Sequence, residues 1–314
     1  MHGGPSPKFF PVAPMKIAIG PARDFPSWHW CGGDLVSSLR LSHDIKVFRW
    51  YSELVHASVD AVVVIKEPPY NRWSPGSTKT VYLPVDFFES EEQIQEHSRF
   101  LGSCAVIATH CSRLDGYLQP HCRRLAHVEH YGKHVLPRMA DYRDRGVVLW
   151  TGQGKYVRKT LGWHDRRPRG FDLTVLTNDR GWVRDSTPRP RVTFDLWSEA
   201  RQLSLLGEAR AGLDIKGQDF NQMTKPPTKA QQFVASGVPV AVNRESYSWQ
   251  WFHERGLDLA DPDDEERWFS RRYWEETRDF GFHLRDEISM GAVVSSYLDL
   301  LKDGTADEPG RSAG

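Results

Sequence analysis

The chain has 314 residues, more than the roughly 100 to 200 residues of a typical domain, so two domains of similar size are expected. It contains 41 lysines and arginines and 41 aspartates and glutamates, which gives a formal net charge of zero. This balance excludes proteins that attract nucleic acid or anionic lipid through net positive charge alone.

The cysteines and the hydropathy pattern indicate a soluble protein. Cys31, Cys104, Cys111 and Cys122 show no CxxC spacing, which argues against a zinc site and against a disulfide-rich secreted fold. No apolar run approaches the roughly 20 residues that cross a bilayer, and no signal peptide is recognised. We expect reduced thiols and a cytoplasmic location, with peripheral attachment to a membrane left open.

The two ends of the chain differ from its middle in composition. Residues 1–14 are rich in glycine and proline and precede a second methionine, Met15, so we interpret them as a flexible leader or a misplaced start. Residues 302–314 have the polar composition of a disordered tail.

From Met15 onward, short apolar runs alternate with longer mixed segments, a pattern typical of α/β proteins. Strands are predicted at residues 16–19, 45–48, 61–65, 80–83, 105–108 and 125–128, with helices at 34–39, 90–100 and 112–118. These elements fit one parallel sheet, and they define a first domain over residues 15–135.

A second set of α/β elements follows residues 130–145, where Gly132, Pro137 and a run of mixed charges indicate a connection between domains. Strands are predicted at 147–151, 172–176, 191–194, 211–215 and 238–242, with helices at 155–161, 198–206, 228–235 and 284–301. The second domain is expected over residues 136–283, and the last helix could pack back on the first domain. Two Rossmann-like, doubly wound domains would place the carboxyl ends of both sheets around a shared cleft.

The segment from Lys225 to Asn243 carries the most information about function. Its prolines fix the entry to a helix, Thr228 can cap that helix, and Gly237 ends it before a buried strand. A helix N-terminus suits phosphate, and Lys225 and Lys229 add positive charge beside it. An ordinary αβ unit with solvated lysines explains the pattern equally well.

The run PTKAQQFVASGVPVAV at residues 227–242 resembles the donor-site signature of GT-B glycosyltransferases of the retaining family 4 type, which often reads P-N-K-x-x-E-x-x-A-x-G-x-P-V. The segments GLDLADPDDEERW at 256–268, VTFDLWS at 192–198 and AGLDIK at 211–216 are also similar to that family's C-terminal domain.

The resemblance, which extends to family 1-type nucleotide-sugar glycosyltransferases, implies an N-terminal acceptor domain and a C-terminal donor domain. It also implies hexosyl transfer from a nucleoside diphosphate sugar, without a cofactor and without a metal for the diphosphate.

One departure from the family concerns its usual pair of glutamates eight positions apart. These positions carry Thr224 and Gln232, and neither is acidic. Gln232 could still bind a ribose hydroxyl, although more weakly than a carboxylate would. The departure leaves open the stereochemical course and a sugar-nucleotide-binding protein that has lost turnover.

Two glycine-containing segments are further candidates for donor phosphate. In LWTGQGKYVRK, Gly152 and Gly154 would let the backbone approach a diphosphate, and Lys155 or Arg158 would supply charge. The pair Gly32 and Gly33 is similar to the family's double-glycine loop across the cleft. Plain turn glycines account for both segments about as well.

Three residues at predicted strand ends are candidates for the catalytic base. Asp86 ranks first, followed by His110 and His130, because each would lie on the cleft side of the first sheet. Loop or cap partners are the alternative for the histidines, and an N-cap before the helix at residue 90 is the alternative for Asp86.

Two enzymes of the same two-domain plan remain alternatives: a glucosyltransferase acting on DNA bases and a nucleotide-sugar epimerase. The acceptor is left open among glycan, lipid-linked, small-molecule and nucleic-acid compounds, because the loop at residues 68–77 cannot be decoded from one sequence. The oligomeric state is also left open.

Overall fold

The computed structural model describes residues 14–69, 76–185 and 188–303. The predicted leader (apart from Pro14), residues 304–314 of the predicted tail and most of the loop at 68–77 lie outside the described residues. Among the described helices, none is long and apolar enough to cross a membrane.

The first sheet has six parallel strands in the order β2-β1-β3-β4-β5-β6. Its central strand β3 is buried along its whole length, as expected for a parallel sheet covered by helices on both faces. The elements are β1 Lys16–Gly20, α1 Asp34–Leu39, β2 Asp44–Val47, β3 Ala61–Ile65, β4 Lys79–Leu83, α2 Glu91–Glu96, α3 Ser98–Ser103, β5 Val106–Thr109, α4 Ser112–Leu118 and β6 Leu125–His127.

The second sheet has five parallel strands in the order β11-β10-β7-β8-β9. The predicted α/β class with two Rossmann-like doubly wound domains is confirmed. The elements are β7 Val148–Gly152, α5 Gly154–His164, β8 Leu173–Thr177, α6 Arg180–Asp185, β9 Val192–Leu196, α7 Glu199–Glu208, β10 Ala211–Asp214, α8 Phe220–Met223, α9 Thr228–Ala235, β11 Val240–Val242, α10 Tyr247–His253, α11 Glu265–Trp268, α12 Arg271–Glu287 and α13 Met290–Lys302.

Two predicted helices are interrupted. The segment 90–100 divides into α2 and α3 at His97, and the segment 284–301 divides between α12 and α13. At the second break Ser289 accepts a hydrogen bond from the Ala292 amide and so caps α13. The sequence contains this cap signal, but the apolar periodicity on both sides of it favoured one helix.

The C-terminal helices pack on different domains. Helix α12 contacts α9 of the second domain, whereas Tyr297 and Leu301 of α13 lie in the core of the first sheet. Helix α13 continues through Lys302, so the first residue of the predicted tail is helical. The chain thus crosses between the domains a second time, and there the Gly132 amide donates to the Ile288 carbonyl at 2.8 Å.

Glu129, just after β6, joins the two domains through a partly buried carboxylate. Its Oε2 accepts from Gln231 Nε2 of α9 at 2.9 Å, and its Oε1 accepts from Trp251 Nε1 of α10 at 3.0 Å. Burial alone would raise the pKa of Glu129, but hydrogen bonds and charge from His127, together with the bonds from Gln231 and Trp251, hold it below its usual value. The carboxylate therefore stays charged between the domains.

Arg113 makes a second interdomain contact from α4. Its guanidinium donates to Gln250 Oε1 and to the Glu245 carbonyl, each at 2.6 Å. Both contacts are polar and directional, so they favour one orientation of the two domains.

We expect Glu129→Ala to lower the free energy of unfolding by about 3 kcal/mol, because the buried Gln231 and Trp251 donors lose their acceptor. A thermal melt should show a decrease of several degrees in Tm. Glu96→Ala, the same substitution on an exposed helix, is the matched control. Equal melting temperatures for the two variants would contradict a role for Glu129 in holding the domains together.

Candidate functional site

Three lysines meet at the carboxyl end of the second sheet, and we call them the lysine cluster: Lys216, Lys225 and Lys229. Lys216 Nζ lies 3.1 Å from Asp214 Oδ1, and both side chains are buried. Lys225 Nζ donates to the Tyr156 hydroxyl at 3.0 Å. Lys216 was missed as a site residue, although it ends the AGLDIK segment at 211–216 that resembles the donor domain.

Asp214 is the acidic partner of the lysine cluster. Burial alone would raise the pKa of Asp214, but Lys216, Lys229 and Lys225 together lower it. One carboxylate thus faces three ammonium groups. The excess of positive charge lies where a parallel sheet binds its ligands.

The amine of Lys229 has a pKa far below the usual lysine value. Its Nζ lies 5.1 Å from the centroid of the Trp150 ring. Burial, with the charges of Lys216 and Lys225, lowers the pKa of Lys229 to about 7, although Asp214 acts in the opposite direction. With a pKa near 7 the amine is only partly protonated in the free protein, and an anion bound beside it would make it fully protonated.

Gly152, at the end of β7, provides room for that amine. A Cβ at this position would lie 2.6 Å from the Trp150 ring and 2.9 Å from Lys229 Nζ. Lys155 and Arg158 lie beyond it, exposed on α5. The glycine is therefore required by close packing next to the lysine cluster, whereas Lys155 and Arg158 lie at its margin.

The N-terminus of α9 has no side-chain cap. Pro227 is the N-cap residue, and Thr228 is the first residue inside the helix. The prediction that Thr228 caps α9 is therefore wrong, because the chain enters the helix one residue earlier. The amides of the first turn lie beside Lys225 and Lys229, an arrangement that suits an anion.

Gln232, which stands where the resembled family often has a glutamate, is buried in α9. Its Oε1 accepts from Gln202 Nε2 at 3.4 Å, while its own Nε2 has no partner among the described residues. The hydroxyl of Thr224, at the other departing position, donates to the Phe220 carbonyl. Gln232 thus retains a free donor, and Thr224 is engaged with its own helix.

Gly32 and Gly33 do not form a loop. They end a π-helical segment, Trp28–Gly33, which continues directly into α1. A Cβ on Gly32 would lie 2.3 Å from the Trp28 ring, so this glycine is required by packing within the segment. The interpretation as a double-glycine loop is wrong, because both glycines belong to a helical segment that runs directly into α1.

Asp86 lies after β4, on the side of the first domain that faces the lysine cluster. Its side chain is exposed, and its φ of 54° is in the left-handed region, a conformation that is rare outside glycine and often found at functional sites. Burial alone would lower the pKa of Lys225, but the charge of Asp86 is the largest influence that raises it. Asp86 is not a helix cap, because Ser90 caps α2.

His110 and His130 are packed together behind Asp86. Their ring centroids are 3.8 Å apart, and both side chains are buried. Burial lowers the pKa of His130 to about 4 and lowers that of His110 well below its usual value. Both rings are therefore neutral near pH 7, and Asp86 is the exposed member of the three base candidates.

Similar solved structures share this two-domain arrangement. An α-glucosyltransferase in complex with UDP and a 13-mer DNA superposes with a TM-score of 0.59 at 10% identity, covering 92% of this chain and 99% of that one. AviGT4, a glycosyltransferase of avilamycin A biosynthesis, gives 0.58 at 14% identity, with 92% and 97% covered. The DNA-modifying enzyme β-glucosyltransferase gives 0.53 at 12% identity, with 91% and 99% covered.

The chain has the GT-B fold. No protein-family model and no curated protein matches the sequence. The likeness is therefore one of architecture, and the activity has to be argued from the site.

The low pKa of Lys229 gives a prediction for the free protein. The pKa of Lys229 in the folded protein lies below the ordinary lysine value of about 10.4, so folding at pH 7 costs free energy to bury or deprotonate this amine. This cost declines as the pH rises towards 10, where the unfolded chain also loses the proton. We expect Lys229→Met to melt a few degrees above the wild type at pH 7, and the difference to shrink by pH 9.5. Differential scanning calorimetry at both pH values measures it. If the Met variant melts below the wild type at pH 7, Lys229 stabilises the folded protein and the prediction is wrong.

Proposed function

We propose that this protein is a glycosyltransferase that moves a sugar from a nucleoside diphosphate sugar to an acceptor. One observation carries the proposal: three lysines converge on a single buried carboxylate beside the uncapped N-terminus of α9, opposite an exposed aspartate of the other domain. Such a site suits one compact dianionic or trianionic group.

In the proposed reaction, the lysine cluster and the first-turn amides of α9 stabilise the diphosphate as it leaves the sugar. They act where negative charge develops, and they are already in position before the reaction. The donor diphosphate thus needs no metal ion. The free amide group of Gln232 would bind a hydroxyl of the nucleoside ribose.

Asp86 has the position of a general base. It extends from the first domain towards the lysine cluster, so an acceptor hydroxyl bound between the domains would lie near both groups. Its carboxylate would take the hydroxyl proton as the oxygen attacks the anomeric carbon. His110 and His130 are less suited to this role because their rings are buried.

The similar structures support a uridine donor and provide the second candidate acceptor. One of them is an α-glucosyltransferase in complex with UDP and a 13-mer DNA containing an HMU base, and another is a DNA-modifying β-glucosyltransferase with uridine diphosphoglucose as its substrate. A modified base in DNA is therefore the alternative to a small-molecule or glycan acceptor. We place the reaction in the cytoplasm, since all four cysteines are free thiols.

A thermal-shift panel tests the donor site. We expect uridine or guanosine diphosphate, and one matching nucleotide sugar, to raise Tm more than a DNA duplex does at physiological salt. A ligand at 100 times its Kd adds about 2.7 kcal/mol to stability, which corresponds to a shift of several degrees. If no nucleotide moves the transition, the lysine cluster is not a donor site. Binding without donor hydrolysis or transfer would instead indicate a protein that has lost turnover.

Lys229→Ala should weaken diphosphate binding by roughly 10- to 150-fold, because a charge-assisted hydrogen bond contributes about 1.5 to 3 kcal/mol. Isothermal titration calorimetry with uridine diphosphate measures the change. Lys46→Ala, which removes an exposed lysine on β2 of the first domain, is the matched control and should leave Kd unchanged. An unchanged Kd in Lys229→Ala would remove this residue from the site.

Asp86→Asn should reduce transfer by 100-fold or more, a loss of the order that general base catalysis contributes, without weakening donor binding. The amide keeps the shape of the side chain and loses its basicity. Steady-state kinetics with calorimetry of donor binding separate the two effects. Wild-type turnover in this variant would transfer the role of base to His110 or His130.

A further inference from the structure

A second cluster of polar side chains lies behind the proposed acceptor site, and the reaction proposed above does not use it. Cys31 belongs to the π-helical segment after β1, His110 follows β5, and His130 lies in the connection after β6. Each offers one ligand atom, these atoms lie within 4.8 Å of one another, and all three residues are buried.

The hydrogen bonding of His110 leaves one nitrogen free. Its Nδ1 lies 2.5 Å from the Val128 carbonyl oxygen, so the tautomer assigned from this contact carries its proton on Nδ1. Nε2 then holds a lone pair, and it is buried without a partner among the described residues. A histidine that donates one N–H to a backbone carbonyl while the other nitrogen remains free has the form of a metal ligand.

The spacing of the other two residues also fits an ion. Cys31 Sγ and His130 Nδ1 are 3.5 Å apart. Zinc bonds of about 2.3 Å to sulfur and about 2.0 to 2.1 Å to nitrogen, at a tetrahedral angle, place the two ligand atoms about 3.5 Å apart. The pair therefore already has the separation that a shared zinc ion requires.

We propose that Cys31 Sγ, His110 Nε2 and His130 Nδ1 bind one Zn²⁺ ion. A small pocket lined by Cys31, His130, Leu35 and Tyr297 lies beside them and can admit a water molecule as the fourth ligand. Binding exchanges the thiol proton of Cys31 for the ion and releases that proton to solvent.

The ligands of this ion differ from those of a metal ion that binds the donor diphosphate. Thiolate and imidazole are ligands that zinc prefers, whereas a diphosphate metal such as Mg²⁺ is held by oxygen. The ion would tie the π-helical segment to the ends of β5 and β6 and would occupy both histidines. All three protein ligands belong to the first domain.

Titration of the metal-depleted full chain tests the proposal. We expect one equivalent of Zn²⁺ to bind, measured by calorimetry, and one equivalent of Co²⁺ to produce a thiolate-to-cobalt charge-transfer band. Cys31→Ser should abolish the band, and it should weaken Zn²⁺ binding by more than the 10- to 100-fold that loss of an outer-shell partner costs. His110→Gln should weaken Zn²⁺ binding to a similar extent.

Two matched controls lie outside the cluster. Cys122→Ser removes another thiol of the first domain, and His127→Gln removes a nearby exposed histidine; both should bind Zn²⁺ as the wild type does. Wild-type Co²⁺ binding without a thiolate band, or Zn²⁺ binding unchanged in Cys31→Ser, would overturn the site.

The wild-type Co²⁺ spectrum decides the question even if a variant fails to fold. The outcome is independent of the donor site, because uridine diphosphate binding is measured separately and does not involve these three residues.

Discussion

Asp214 is the residue on which the arrangement of the donor side depends. It lies at the end of β10, almost fully buried, and it is the nearest negative charge to Lys216. Three ammonium groups close to one another repel, and a low-dielectric setting strengthens that repulsion. One buried carboxylate offsets part of it, and the pKa of Lys229 is still lowered to about 7. Lys225 keeps its charge chiefly through Asp86 of the other domain.

The position of Asp86 relative to these lysines depends on polar contacts between the domains. Glu129 and Arg113 bind elements of the second domain, and Asn221 Nδ2 of α8 donates to the Asp86 carbonyl at 3.4 Å. Asn221 binds the backbone carbonyl of Asp86 and leaves its carboxylate exposed. The position of the Asp86 carboxylate of the first domain thus depends on contacts with the second domain.

The sequence predicted the strands well because buried parallel strands are short apolar runs, and the run at 61–65 shows this most clearly. It predicted Lys225 and Lys229 because they flank one helix start. It could not predict the link between Cys31 and His130, since this contact joins distant parts of the chain. Lys216 lies just after a predicted strand, but no helix start or glycine beside it marked it as part of the site. Two local interpretations were wrong: Gly32 and Gly33 are helical and form no loop, and the chain enters α9 one residue before Thr228 could cap it.

The two crossings between the domains lie side by side. The first passes through Gly132, the second through Ile288, and a backbone hydrogen bond joins them. Because two adjacent covalent links join the domains, the domains cannot move apart by translation. Rotation about a line through both links costs less than any other relative motion of the domains. Any opening of the cleft is then a swing about that line, whose amplitude at a given atom grows with its distance from the Gly132–Ile288 bond.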